Sequence, residues 1–207
     1  MDALADFSDP VRHWFSKSFP APTRAQSLGF GPIREGKSTL LLAPTGSGKT
    51  LAAFLSALDR LMTRPVEGSG LKVLYISPLK ALAVDVDRNL RAPIAGIRAA
   101  AAQLSLPVRD PEVAMRSGDT SVKDRSRYQR AGADLLITTP ESLYLLLTSQ
   151  AARHFASLET VIIDEIHALL PTKRGAHLFL SLERLEALRT SSRPLQRIGL
   201  SATQRPL

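Results

Sequence analysis

Two stretches of this chain end in Gly-Lys followed by a hydroxyl residue, the arrangement that binds phosphate. Gly31-Pro-Ile-Arg-Glu-Gly36-Lys37-Ser38 fits the formal pattern of Gly, four residues, then Gly-Lys-Ser/Thr. Ala43-Pro-Thr-Gly-Ser-Gly48-Lys49-Thr50 begins with Ala and misses it. Chemistry separates the two. A phosphate loop surrounds the anion with backbone N–H groups, freed of side-chain bulk by glycine, at the start of a helix whose dipole adds positive potential. Such a loop must follow a strand and open a helix. Residues 43–50 satisfy both conditions, with Leu40-Leu-Leu before them and an amphipathic pattern over 51–62 after them. Residues 31–38 satisfy neither, because their middle is bulky, Pro32 lacks an N–H, and an apolar strand pattern follows. They are expected to be a chance match in a turn, with Gly36 reversing the chain and Lys37 in solvent. Thr45, Gly46, Ser47 and Gly48 then cradle phosphate, Lys49 reaches the β- and γ-phosphates, and the Thr50 hydroxyl ligates Mg²⁺. The bland alternative is that Gly46-Ser-Gly48 only caps a helix.

A second chemical pair completes a nucleotide hydrolase. In Thr160-Val-Ile-Ile-Asp164-Glu165-Ile-His167, apolar residues deliver two adjacent carboxylates at a strand end. Asp164 suits the Mg²⁺ shell, through water, and Glu165 is placed to polarise an attacking water as general base. An acidic pair alone is weak evidence, since such pairs also cap helices. Together with residues 45–50 it is strong.

The elements that must position these groups are legible as alternation. Short apolar runs at 40–43, 73–77, 113–116, 135–138, 161–163 and 198–201 read as buried strands. Helical periodicity lies between them: Leu51, Phe54, Leu55, Leu58 and Leu61 share one face over 51–62, as do Leu178, Leu182, Leu185 and Leu188 over 176–189. Alternating strands and helices predict an α/β fold with a mainly parallel sheet covered on both faces, and ligands at the carboxyl ends of its strands.

At 207 residues, with 44% hydrophobic and 22% charged residues, the chain suits one globular domain. No apolar run approaches the roughly 20 residues that span a bilayer, and the amino-terminal stretch lacks a secretory signal's apolar core, so no membrane contact and a cytoplasmic location are expected. Absence of cysteine excludes disulfides and argues against a structural zinc site. The net charge of +8 favours a polyanionic partner without identifying it. Residues 64–70 are the clearest loop.

The combination APTGSGKT, SPLKALAVD, TTPESL, DEIH and SAT, in this order, resembles the first motor domain of superfamily 2 helicases, the group of DEAD-box and DEAH-box proteins. Ser77-Pro-Leu-Lys-Ala-Leu, Ser117-Gly-Asp-Thr, Thr138-Thr-Pro-Glu-Ser-Leu, Lys173-Arg-Gly-Ala-His-Leu and Ile198-Gly-Leu-Ser-Ala-Thr are similar to the large helicase-related (Lhr) family. The resemblance implies a RecA-like P-loop NTPase domain over residues 1–207, with 1–22 leading into an adenine-reading motif at Phe19-Pro-Ala-Pro-Thr23-Arg-Ala-Gln26. In that motif Thr23 and Gln26 would serve the nucleotide, and Arg24 stands where a second proline is usual. Phe7 or Trp14 could stack on the base, or anchor the amino-terminal segment in the core. By the same resemblance Ser201 and Thr203 couple hydrolysis to strand movement, and His167 is the coupling residue of the DExH class rather than a metal ligand or a merely structural histidine. Ser77, Lys80, Gly118, Thr120, Thr138, Thr139 and Ser142 would contact the backbone of single-stranded nucleic acid without reading sequence. The basic run 123–130 is either a phosphate-contacting helix or a solvated helix face. Arg174-Gly175 either faces nucleic acid or caps the helix at 176–189.

The implied function is the ATP-binding half of an ATP-dependent helicase or translocase acting on DNA or RNA–DNA hybrids in repair, moving 3′ to 5′, with ATP and Mg²⁺ as cofactors. The second RecA-like domain, which contributes an arginine finger, is expected to be absent from this chain, leaving residues 1–207 weak in ATP binding, poor in hydrolysis and unable to unwind. Two alternatives share part of the pattern. A remodeller or restriction-type motor would use the same NTPase residues without unwinding, and a silent binding module would use only the basic surface.

Overall fold

The computed structural model describes residues 2–64 and 70–202. Six strands, β1 (Thr39–Leu42), β2 (Val73–Ile76), β3 (Val113–Arg116), β4 (Leu135–Thr138), β5 (Thr160–Ile163) and β6 (Gln196–Ser201), form one wholly parallel sheet in the order β1-β6-β5-β2-β4-β3. All six expected strands are present, two with the expected ends and four with ends shifted by one or two residues.

Parallel strands need crossovers, and helices supply them on both faces. The period of two along each strand divides the core. Val73, Tyr75, Leu135, Ile137, Ile162, Ile198 and Leu200 face one layer, built on α1 (Asp9–Ser18), α2 (Arg24–Arg34), α3 (Lys49–Thr63) and α4 (Lys80–Gln103). Leu74, Ile76, Leu136, Val161 and Ile163 face the other, built on α5 (Val122–Ala131), α6 (Pro140–Leu147), a 3-10 helix (Gln150–Ser157) and α8 (Lys173–Leu188). The short α7 (Ile166–Leu169) follows β5 directly. The helices expected at 51–62 and 176–189 are α3 and α8, each begun two or three residues earlier.

Two expectations are corrected. The apolar runs at 40–43 and 113–116 predict buried strands, yet β1 and β3 are the two sheet edges: Leu41 is buried while Leu40 and Leu42 are 56% and 44% exposed, and all four residues of β3 are half-buried. Edge position depends on strand order, which the local apolar run does not encode. Residues 31–38 are not simply a turn either. Gly31 to Arg34 form the last turn of α2, Pro32 included, and the reversal begins only at Gly36, whose φ is +79°. Lys37 is solvent-exposed, as expected, and pairs with Glu35. The loop expected at 64–70 lies largely outside the described residues.

The amino-terminal segment packs as part of the domain. Phe7 is buried edge-on against Phe30 with the Arg34 guanidinium over its ring, and Trp14 sits against Gly96 of α4, where an added Cβ would come within 2.2 Å of the indole. Both aromatics anchor α1 and its lead-in to the domain.

Candidate nucleotide and nucleic-acid sites

Strand order sorts the six strand-end loops into two groups. β1, β6 and β5 are neighbours and end in the 43–50 loop, Ser201-Ala202 and Asp164-Glu165. β2, β4 and β3 are neighbours and end in Ser77-Pro-Leu-Lys80, Thr139-Pro-Glu-Ser142 and Ser117-Gly-Asp-Thr120. Adjacent strands lie about 4.8 Å apart, so each group occupies one half of the same sheet edge.

In the first half, residues 43–50 bridge β1 and α3. Gly46 and Gly48 hold φ of +80° and +78°, the left-handed region that glycine enters without strain. Gly48 is the residue before α3 and offers no side-chain cap, so the first-turn N–H groups of α3 are left for an anion. The Lys49 ammonium folds back to donate to the carbonyls of Ala43 and Pro44 at 2.5 and 2.9 Å. The Thr50 hydroxyl has no hydrogen-bond partner among the described residues, and the buried Ser47 hydroxyl is likewise unsatisfied.

Thr23 and Gln26 lie against this loop. They form a capping box that starts α2, with Gln26 Oε1 accepting from Thr23 N–H at 2.9 Å. The Thr23 hydroxyl donates to the Ser47 carbonyl at 2.7 Å, and the Gln26 amide lies 3.5 Å from the Gly48 carbonyl. The expected adenine motif and phosphate loop are thus one hydrogen-bonded unit.

Asp164 and Glu165 lie two strands away. Asp164 is 9% exposed, and its Oδ1 accepts from the Glu165 N–H at 2.9 Å. Glu165 adopts a left-handed backbone, φ +44° and ψ +44°, a strained conformation for a non-glycine residue of the kind that clusters at functional sites. His167 Nδ1 lies 2.9 Å from Ser201 Oγ and 3.4 Å from the Glu165 carboxylate. The acidic motif of β5 and the Ser-Ala motif of β6 therefore touch. Thr203 lies outside the described residues.

In the second half, Lys80 and Gly118 are exposed and Thr120 is half-buried, whereas Ser77, Thr138, Thr139 and Ser142 are all buried. The buried hydroxyls bond internally: Ser77 to the Leu79 carbonyl, Thr138 to the Arg116 carbonyl, and Thr139 as the cap of α6 with Ser142. They fix the loops that carry the exposed groups. Lys80 Nζ meets both oxygens of Asp119 at 2.9 Å, and Arg125 donates to the carbonyls of Thr120 and Gly118. Leu79, the residue before α4, adds no side-chain cap, leaving that helix start open in the same way as α3.

The basic run 123–130 lies on α5, and its guanidiniums are spent within the domain. Arg125 braces the 117–120 loop and Arg127 pairs with Glu112. Arg174 bonds Glu141 at 2.6 Å and the Pro78 carbonyl at 2.9 Å, tying the β2 and β4 loops to α8. Gly175 follows because a Cβ there would meet the Leu169 carbonyl oxygen at 2.1 Å. Burial raises the Glu141 carboxyl pKa, but its bonds from Arg174 and the backbone outweigh this and hold it below the ordinary value.

One group was missed from sequence. The Tyr75 hydroxyl, on β2, donates to Asp164 Oδ2. A phenol within an otherwise apolar, fully buried strand was the available signal, since a buried polar atom requires a partner.

The DEAD/DEAH box helicase family profile matches residues 23–206. The chain is 56% identical over 206 residues to the Lhr helicase/probable uracil glycosylase of Mycolicibacterium smegmatis, covering 99% of this chain and 14% of that protein. It is 49% identical to the Lhr helicase/uracil glycosylase of Escherichia coli, covering 96% and 13%. The solved structure of Mycobacterium smegmatis helicase Lhr bound to ssDNA and AMP-PNP superposes with a TM-score of 0.93 at 55% identity, covering 100% of this chain and 26% of that one. The chain thus spans about a seventh of the length of these curated relatives.

Proposed function

The chain belongs to the DEAD/DEAH box helicase family, and on that premise we propose that it is the ATP-binding motor domain of an Lhr-type helicase acting on DNA or RNA–DNA hybrids. The observation that carries this reading is the division of one sheet edge into a nucleotide half and a strand half, joined at β5 and β2. The solved relative holds AMP-PNP and ssDNA, the two ligand classes these halves suit.

On this reading the 45–48 backbone and the open start of α3 bind the phosphates of ATP, and Lys49 exchanges the Ala43 and Pro44 carbonyls for phosphate oxygens. Gln26 and Thr23 hold the loop against the adenine side. Glu165 orients and deprotonates the attacking water. Thr50 and Asp164 fit Mg²⁺, because they offer a hydroxyl unpartnered among the described residues and a carboxylate, both hard oxygen donors. Among the described residues no cluster of three His, Cys, Asp or Glu competes to hold a metal by protein ligands alone. When bound, the ion would neutralise charge on the phosphate oxygens. His167 and Ser201 link the acidic motif to β6, and with Thr203 they would carry the state of the nucleotide to the rest of the motor. Lys80, the 118–120 backbone and the start of α4 hold strand phosphates, while the buried hydroxyls keep those loops in place. Such contacts read no sequence.

A second motor domain closing over the nucleotide would add the arginine that stabilises charge developing on the γ-phosphate. Residues 1–207 alone would then bind ATP weakly and hydrolyse it slowly. A role in repair, 3′ to 5′ movement and a cytoplasmic location complete the proposal. The test is ATP hydrolysis by the intact protein with and without single-stranded DNA, together with displacement of a labelled strand. Stimulation with displacement supports the motor. Stimulation without displacement indicates a non-unwinding remodeller, and absence of hydrolysis with or without DNA indicates a silent binding module.

A further inference from the structure

We infer that Tyr75 is a positioning residue for Asp164, and that it ties the strand-binding half of the sheet to the metal-binding carboxylate. The inference rests on the motor reading above. Tyr75 lies opposite Ile162 in the parallel pairing of β2 with β5. Asp164 is two residues beyond Ile162 and so leaves the sheet on the same face. Two residues of strand advance roughly 6.6 Å, a distance a tyrosine side chain spans, so the phenol runs alongside the strand end and its hydroxyl meets Oδ2.

Three features fix the ring. It is fully buried, it stacks on Phe54 of α3 at 5.1 Å between centroids and 29° between planes, and its strand pairs with both β4 and β5. Phe54 lies on the helix that the phosphate loop opens, and Tyr75 is two residues before Ser77, where the first strand-binding loop begins. One side chain therefore touches the phosphate-loop helix, the strand leading to the nucleic-acid side, and Asp164. With Oδ1 held by the Glu165 N–H and Oδ2 by Tyr75, the carboxylate is fixed at both oxygens. Each oxygen keeps a lone pair for a metal-bound water. A phenylalanine at 75 would preserve packing and stacking but leave the carboxylate with one anchor.

The test is Tyr75→Phe in the intact protein. Mg²⁺ is titrated against binding of a fluorescent ATP analogue, Mn²⁺ binding is read by electron paramagnetic resonance, and nucleotide affinity is measured in EDTA. A hydrogen bond to a charged group is strong enough that its loss should raise the half-saturating Mg²⁺ and Mn²⁺ concentrations about tenfold. Nucleotide affinity in EDTA should stay at the unaltered protein's value, and the thermal midpoint should fall by only the several degrees that loss of one such bond implies. Superimposed metal titrations overturn the inference. So does an equal loss of affinity in EDTA or a collapse of the thermal midpoint, either of which would make Tyr75 a packing residue. Tighter metal binding by the variant would show the hydroxyl competing with the metal and also overturn it. Should the unaltered protein show no metal-dependent nucleotide binding, the motor reading itself falls and the inference with it.

Discussion

Substituting Gly48 by alanine tests whether the adenine-side motif and the phosphate loop act as one unit. Gly48 has φ of +78°, and a Cβ there would lie 2.5 Å from Gln26 Nε2. An L residue in the left-handed region costs about 1–2 kcal/mol. The Gln26 amide must also withdraw, giving up the bond from the Thr23 N–H, worth about 1 kcal/mol. Residues 45 and 46 of the loop are exposed, so the loop can relax without unfolding the domain, and the penalty falls on nucleotide binding, which requires the original conformation. A total of about 2–3 kcal/mol corresponds to roughly 30- to 150-fold weaker binding. In a Gln26→Ala background the obstruction is gone and only the backbone strain remains, so the same glycine substitution should weaken binding roughly 5- to 30-fold. Equilibrium binding of a fluorescent ATP analogue by the four proteins of this cycle measures the difference. Equal penalties in both backgrounds would refute the contact with Gln26 as the source.

Two further outcomes follow from the strand half. Asp119→Asn releases Lys80 from an exposed ion pair, and because such pairs contribute at most about 1 kcal/mol, single-stranded DNA should bind up to roughly fivefold tighter at low salt. The gain should vanish in high salt, where exposed charges are screened, and fluorescence anisotropy across a salt series reads it. Arg174→Ala should destabilise the domain at neutral pH by about 1–2 kcal/mol, up to about 1 from the half-exposed pair with Glu141 and about 1 from the bond to the Pro78 carbonyl. Because Glu141 titrates below its ordinary value of 4.5 in the folded state, the ion pair's contribution is present above that value and lost as pH falls through the lowered folded pKa. The gap between the two proteins in denaturant unfolding should therefore narrow at acid pH to the part owed to the Arg174 bond with the Pro78 carbonyl, which does not titrate, and a gap that widens on acidification would contradict the pairing.

The sheet was legible because each strand is a short apolar run closed by turn residues, and because helical periodicity fills the gaps. Context also favours the second of the two candidate phosphate loops, since the strand before Ala43 and the helix that begins at Lys49 are both local features. What stayed hidden was non-local. The exposure of Leu40 and Leu42 follows from β1 lying at the sheet edge, a consequence of strand order. The Tyr75 to Asp164 bond joins residues 89 apart in sequence, and no spacing rule connects them. Ser77, Thr138, Thr139 and Ser142 lie at the expected loops, but whether a short hydroxyl faces outward or caps its own helix depends on one side-chain torsion that sequence does not report. Arg174 and Gly175 show the reverse case. Of the two expectations the helix cap is the one the structure shows, because Gly175 makes room for the Leu169 carbonyl and, through its N–H to Thr172, completes the cap of α8, while Arg174 is bonded within the domain to the strand-side loops.

The central claim is that the loop at 43–50, and not the stricter match at 31–38, holds the nucleotide of a nucleic-acid motor. Single-stranded-DNA-stimulated ATP hydrolysis by the intact protein, measured for Lys37→Ala and Lys49→Ala side by side, tests it most directly. The account predicts hydrolysis near the unaltered rate in Lys37→Ala and its loss in Lys49→Ala. Loss in Lys37→Ala with hydrolysis retained in Lys49→Ala would contradict it.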